Sequence, residues 1–295
     1  MKFTLIGSLF ILVLTNTASI GVVAANNDEA SLRLLQQYAE LEDRLHANQF
    51  GQPVVLDSTE AGSLVTGEIH AVVEHPFAEV RTALDNPDHW CDVLSLHINT
   101  KYCRAMAGPE QTVLKVNVGK KTPQRLEDAA RIEFIYTRAA ATPEYLNIKL
   151  DAEEGAMGAS NFHIEFEAVP LQDGNTFLHF TYAYSISGAT QFGLKAYLST
   201  LGRSKEGFTI VGTTRSGQPE YIGGVRGIME RNTMRYYLAI DSFFAAGDGE
   251  PAQQLDQRLQ SWFAATEKYP QLHELELDEY LAMKQAEYLR QQTAD

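Results

Sequence analysis

From Leu64 onward the chain alternates apolar and polar residues. Ile69, Ala71 and Val73 share one face while Glu68, His70 and Glu74 take the other, which predicts a strand. Pro76 then opens a short helix, "PFAEVRTAL", and Asn86-Pro87 breaks it before a second, "HWCDVLSL". Alternation returns after Cys103 and repeats: Leu114, Val116 and Val118; Ile132, Phe134 and Tyr136; Leu146, Ile148 and Leu150; Phe162, Ile164, Phe166 and Ala168; and, past a "QDGN" turn, Leu178, Phe180, Tyr182, Tyr184 and Ile186. Each run has one apolar and one polar face, so an antiparallel meander of five or six strands is expected, dry on one side and wet on the other. Glu165 and Glu167 fall on the wet face, where they read as solvated carboxylates.

Something must cover the dry side. In "YIGGVRGIMERNTMRYYLAIDSFFAA" the residues Val225, Ile228, Met229, Asn232, Tyr236, Ala239, Ile240 and Phe243 recur at helical spacing, and Gly223, Gly224 and Gly227 let the first turns come close to a sheet. A shorter helix is expected at the N-terminal side, capped by Asn27 or Asp28 and carrying Leu34, Leu35, Tyr38, Leu41 and Leu45. The C-terminal stretch predicts a helical hairpin: Leu255, Leu259, Trp262 and Phe263 make one stripe, Pro270 breaks the chain, and Leu277, Tyr280, Leu281 and Tyr288 make another. Its acidic run "HELELDEY" reads as a solvated face.

One strand, two short helices, a meander and a long amphipathic helix follow one another between Leu64 and Ala246. The stretch "GEIHAVVEHPFAEVRTALDNPDHW" and the long helix from Gly223 resemble the helix-grip fold of the START-like superfamily, the group that contains lipid-transfer START domains and polyketide cyclases. The stretch "HWCDVLSLHINTKYC" is also similar to part of uncharacterised exported proteobacterial proteins. The resemblance implies an α+β fold: a curved antiparallel β-sheet wrapped around a long C-terminal α-helix, with flanking helices. The expected organisation is a leader at 1–25, an N-terminal helix and linker at 26–63, the helix-grip domain at 64–246 with an insertion at 188–222, and a C-terminal helical hairpin at 247–295.

Composition narrows the setting. Met1 and Lys2 precede an apolar run, Thr4 to Leu14, and Val23-Ala24-Ala25 offers a cleavage point before Asn26, the pattern of a leader for export. The run is too short to span a bilayer, and no cysteine sits where a lipoprotein anchor would need one. A periplasmic or secreted protein is therefore expected. In an oxidising space the two cysteines, Cys91 and Cys103, favour a structural disulfide; their spacing, with His97 between them, matches neither a zinc site nor a C-x-x-C redox pair. The formal charge of -14 argues against nucleic acid. The window Ser187–Ile240 departs from it, with seven basic residues against three acidic ones.

The resemblance implies a hydrophobic cavity between sheet and long helix. Its candidate lining is Phe134, Tyr136, Phe162, Phe166, Phe180, Tyr182, Tyr184, Asn232 and Tyr236, in which the aromatic bodies suit an apolar ligand and the polar tips orient it. Filling of the core by the same rings is the competing reading. In the insertion, "GATQFGLKAYLSTLGRSK" places Phe192, Leu194, Tyr197 and Leu198 on an amphipathic segment with basic neighbours, a candidate gate able to make transient membrane contact through 188–205. No metal or cofactor motif emerges: "HAVVEH" has one residue too many for a zinc hydrolase signature, and "GGVRG" is too short for a dinucleotide fingerprint. The expected activity is binding or transfer of a hydrophobic small molecule or lipid. A cyclase-like or hydrolase-like enzyme, using groups such as Tyr136, Tyr182, Asn232 and Arg235, and a protein-interaction module with a filled core are the alternatives.

Overall fold

The computed structural model describes residues 18–156, 158–188, 205–247 and 249–293. Helix α1 (Ala18–His46) is followed by strands β1 (Val54–Ala61) and β2 (Leu64–Val73), then by α2 (Phe77–Leu84) and α3 (Pro87–Leu96). Strands β3 (Thr100–Ala107), β4 (Thr112–Val118), β5 (Ala130–Ala141), β6 (Leu146–Ala152), β7 (Ala159–Pro170) and β8 (Thr176–Ile186) form the meander. All eight strands join one antiparallel sheet in the order β1-β2-β8-β7-β6-β5-β4-β3. The two short helices carry the chain from β2 across to β3 at the far edge, and the meander then returns until β8 pairs with β2, Ile69 opposite Phe180. Asn86 starts α3 as the alternation break suggests: its side chain accepts from the Asp88 N–H at 3.0 Å, with Pro87 in the first turn.

After the insertion come a small hairpin, β9 (Ile210–Thr213) with β10 (Pro219–Tyr221), and the long helix α4 (Gly224–Phe243). Helix α4 lies against β1, β2 and α3 on the concave side of the sheet. Helices α5 (Pro251–Glu267) and α6 (Leu277–Thr293) close the chain. This is the helix-grip arrangement, an α+β fold with a curved antiparallel sheet around a long helix.

Three sequence expectations need correction. The outer face of the sheet is wet only in part: α1 lies across β1, β2, β8 and β7, while the outer positions of β5 stay exposed. Leu34, Leu45, Val55, Tyr145, Val169 and Phe177 make a second core there. The stretch read as linker contains β1, whose Val54, Val55 and Leu56 are all buried because both of its faces are covered. Finally, α4 has no polar face. Glu230, Arg231, Thr233 and Arg235 are as buried as its apolar residues: Glu230 is held by Ser58 of β1 and by Thr209 just before β9, Thr233 faces Gly67 of β2, and Arg231 and Arg235 are held by the C-terminal segment.

The C-terminal helices are fastened rather than loosely attached. Trp262 donates its indole N–H to the Arg235 carbonyl at 3.1 Å and stacks on Tyr280, whose hydroxyl donates to the Leu96 carbonyl at 2.8 Å. Lys284 donates to the Thr100 carbonyl at 2.7 Å and pairs with Glu287, which also binds buried Lys101 at 3.0 Å. The buried stripe of α6 is thus Tyr280, Met283, Lys284 and Glu287, while Leu277, expected inside, is exposed.

Two contacts set the stability of this arrangement. Gly67 in β2 is where α4 touches the sheet: a Cβ there would lie 2.1 Å from Thr233 Oγ1 and 3.0 Å from Met229 Cγ. Gly67→Ala is expected to cost about 1–3 kcal/mol through overpacking, part of it recovered by adding Thr233→Ala. An unchanged denaturation midpoint for the single variant would show that the close approach does not matter. The Cys91–Cys103 disulfide ties α3 to β3 across 12 residues. Replacing both cysteines by alanine should cost about 3 kcal/mol on the chain-entropy model, measured by urea unfolding. Two titratable thiols in the denatured, unreduced wild type would show that the bond does not form.

Candidate functional site

The alternation of the meander aims one set of side chains at the concave side, and the large rings fall in that set. Phe134 lies edge-on to Phe162 at 6.3 Å, Phe162 lies 5.4 Å from Tyr184, and Tyr184 lies 5.5 Å from Tyr182. Tyr236 of α4 joins this chain of rings, 5.1 Å from Tyr182 and 6.2 Å from Phe180. On its other side Tyr236 stacks on His97 at 4.5 Å. The structure therefore brings together seven of the nine residues picked from sequence once Asn232, one helical turn before Tyr236, is counted. Phe166 instead packs edge-on against Trp90 and is fully buried. Tyr136 sits beside the Asp85–Arg138 ion pair near the end of α2, where burial, with Asp85 adding to it, pushes its phenol up to about 12. The candidate gate residues Phe192, Leu194, Tyr197 and Leu198 lie outside the described residues, as do residues 1–17 of the expected leader.

Helix α4 touches these rings through Tyr236, and one face of the helix stays accessible beside them. Between Val225 and Ile240 the positions of α4 that stay accessible are Arg226, Ile228, Asn232 and Tyr236. The last three recur every fourth residue and so share one face. Tyr236 shows where that face looks: inward, at β8. The hydroxyls of Tyr182, Tyr184 and Tyr236 form no hydrogen bond with any described residue, yet their oxygens are not sealed off from open space. Burial raises all three phenols, Tyr184 to about 12, so each is held as a neutral hydroxyl. Three neutral donors deep inside an apolar ring cluster are what a small, precise set of polar tips in a ligand cleft requires.

At the tail-side end of the cleft the character changes. Arg235 reaches Asn232 Oδ1 at 3.5 Å, the Leu272 carbonyl at 3.1 Å and Glu274 at 3.0 Å. Arg231 and Lys121 bind the same Glu274 oxygen. Glu274 belongs to the acidic run expected to be solvated; the two arginines of α4 and the lysine of the β4–β5 turn draw it in. His97 Nδ1 accepts from the Asn99 N–H at 3.2 Å, so its proton sits on Nε2, and burial, reinforced by the charge of Arg235, keeps the ring neutral. Sequence inspection missed His97, noted only as lying between the two cysteines, and Lys121.

Other surfaces carry less. An open recess of about 580 Å³ lies among Phe50, Phe208, Tyr221 and Tyr269, and an apolar groove of about 490 Å³ runs between the β4–β5 turn and α6. No three His, Cys, Asp or Glu side chains among the described residues are placed to hold a metal ion. His70 and His75 do not converge: His70 is on the outer face of β2 and His75 packs on Phe244. No described helix is long and apolar enough to cross a membrane.

No family model matches the chain, and no curated protein matches it. Solved structures that match include norcoclaurine synthase from Thalictrum flavum, 13% identical over 49% of this chain and 87% of that one, with a TM-score of 0.33. Human StAR-related lipid transfer protein 5 is 10% identical over 59% of this chain and 90% of its own, TM-score 0.33. A conserved protein of unknown function from Enterococcus faecalis is 10% identical over 74% of this chain and 92% of its own, TM-score 0.35. At such scores the fold rests on the strand order and helix placement described above.

The outer face holds a second polar cluster that sequence inspection took for wet surface. Glu167 is 6% exposed and binds Tyr145, Arg33 at 3.0 Å and His179 Nδ1 at 3.1 Å. Burial alone would pull His179 down, but Glu167 and Glu68 outweigh it and lift the imidazole to about 9. His70 stacks on it at 4.1 Å and is driven down to about 4 by burial and by the His179 charge. A histidine raised on folding stabilises fully below its unfolded value of about 6.5 and stops doing so as pH passes about 9. His179→Gln is therefore expected to lose up to about 3 kcal/mol at pH 6 and much less at pH 9.5, read from urea midpoints. A pH-independent difference would rule out a charged His179 in the folded protein.

Proposed function

We propose that this chain is an exported binding or carrier protein for a hydrophobic small molecule or lipid, held in the cleft between the concave sheet face and α4. The observation that carries the proposal is the set of three tyrosine hydroxyls, on Tyr182, Tyr184 and Tyr236, that stand among aromatic rings without a hydrogen-bond partner in the described protein. Hydroxyls that keep access to open space among aromatic rings are placed to meet the polar atoms of a ligand. A bound molecule with an apolar body and one or two polar atoms satisfies both the rings and the hydroxyls. The exported setting is supported by the leader expected at 1–25 and by a disulfide, which persists in oxidising compartments.

Native mass spectrometry with organic extraction, on protein purified from the compartment where it matures, is expected to show a stoichiometric apolar molecule. Ile228→Trp, which adds bulk on the cleft face of α4, should weaken binding of a neutral probe such as N-phenyl-1-naphthylamine by about tenfold or more while leaving the unfolding midpoint close to wild type. A chain that carries no ligand and binds no apolar probe would refute the proposal in favour of an interaction module with a filled core.

A further inference from the structure

The tail-side end of the cleft holds more positive charge than its one carboxylate neutralises. Lys121, Arg231 and Arg235 all contact the same oxygen of Glu274. Only 7% of the Arg231 side chain and 2% of the Arg235 side chain are exposed, so bulk water does little to screen them. Among the described residues Glu274 is the one acid whose charge acts appreciably on either arginine, and Lys205 adds a further positive charge near Lys121. Two buried arginines against one anion leave an excess of at least one, to which the partly exposed Lys121 adds when protonated, and an uncompensated buried charge is strongly unfavourable. Pinning the tail hairpin needs one of these cations, not three.

The same place has donors without acceptors. Arg235 Nε and His97 Nε2 are sealed from solvent and have no partner among the described residues. His97 stacks on Tyr236, and Asn232, which Arg235 touches, is on the cleft face of α4, so this charge lies beside the ring-lined space. Burial and the neighbouring Arg235 push Lys121 down to about 7, the response of a cation short of counter-charge.

We infer that the cleft takes an anionic amphiphile, with a carboxylate or phosphate head at Lys121, Arg231 and Arg235 and an apolar body among the rings of Phe162, Tyr182 and Tyr236. This rests on the cleft being a binding site, as proposed above. The head supplies the missing negative charge and accepts from the idle donors; guanidinium and ammonium groups bind either head through charge-assisted hydrogen bonds.

Calorimetric titration of the full chain with dodecanoate, dodecyl phosphate and dodecanol tests it. One or both anions should bind about tenfold or more tighter than the alcohol, in keeping with the strength of charged hydrogen bonds. Lys121→Met, at a partly exposed turn position, should remove most of that preference and leave the alcohol unchanged. Glu274→Gln separates a ligand role from a structural one. It removes the resident negative charge, so anions should bind more tightly even though the tail is held less firmly; loss of anion binding in a variant that still melts cooperatively would overturn the inference. Equal binding of alcohol and both anions by the wild type would overturn it too and leave the cleft intact. Binding of none of the three would overturn the cleft reading and this one with it.

Discussion

Helix α4 reaches the sheet at the point where β2 has no side chain. Gly67 faces Thr233 and Met229 so closely that even a methyl group would collide with them, and this contact fixes the helix over the β1–β2–β8 side of the sheet. A helix drawn to one side of a curved sheet cannot also cover the other. Helices α2 and α3 close part of the remainder, with Trp90 edge-on to Phe166 and its indole N–H bonded to the Leu84 carbonyl at 2.8 Å. The cleft is what remains between the two packed regions, bordered by the rings of β5, β7 and β8 and by the Ile228–Asn232–Tyr236 face of α4. Its position follows from one glycine and the curvature of the strands around it.

The disulfide and the C-terminal helices act on the same geometry from the far side. Cys91 and Cys103 join α3 to β3, and buried Lys101 and Lys284 share Glu287 just beyond, bonding the carbonyls of Ile98, His97 and Thr100. These bonds hold the turn that presents His97 to Tyr236. A buried lysine pair sharing one carboxylate gives little net stability, but breaking it strands a charge. Its value lies in fixing the angle between α6 and the α3–β3 corner, and hence the wall of the cleft.

The strands were legible because alternation is a local property: every inward ring of β5, β7 and β8 could be assigned to its face from spacing alone. The cover on the outer face was not. Leu34, Tyr38 and Leu45 announce a helix, but nothing in their spacing says which surface they meet, so Glu167 was placed in water when α1 covers it. Strand β1 was hidden by the same cause, since a strand covered on both faces loses the alternation that identifies it. Asn232 could be singled out because it breaks an apolar stripe. Lys121 and His97 could not, because they enter the site from turns, where residue type carries no periodic signal.

The basic window takes on a different meaning where it reaches α4. An excess of basic residues between Ser187 and Ile240 suggests attraction to an anionic surface outside the molecule. In the fold, Arg231 and Arg235 point into the protein, where they meet a single carboxylate. Charge on a surface is cheap and uninformative, because water screens it. Charge enclosed beside rings and accessible hydroxyls is costly, and a partner of opposite sign relieves that cost. The positive excess and the idle donors thus describe the missing partner by its complement: apolar along its body, negative and hydrogen-bond accepting at one end.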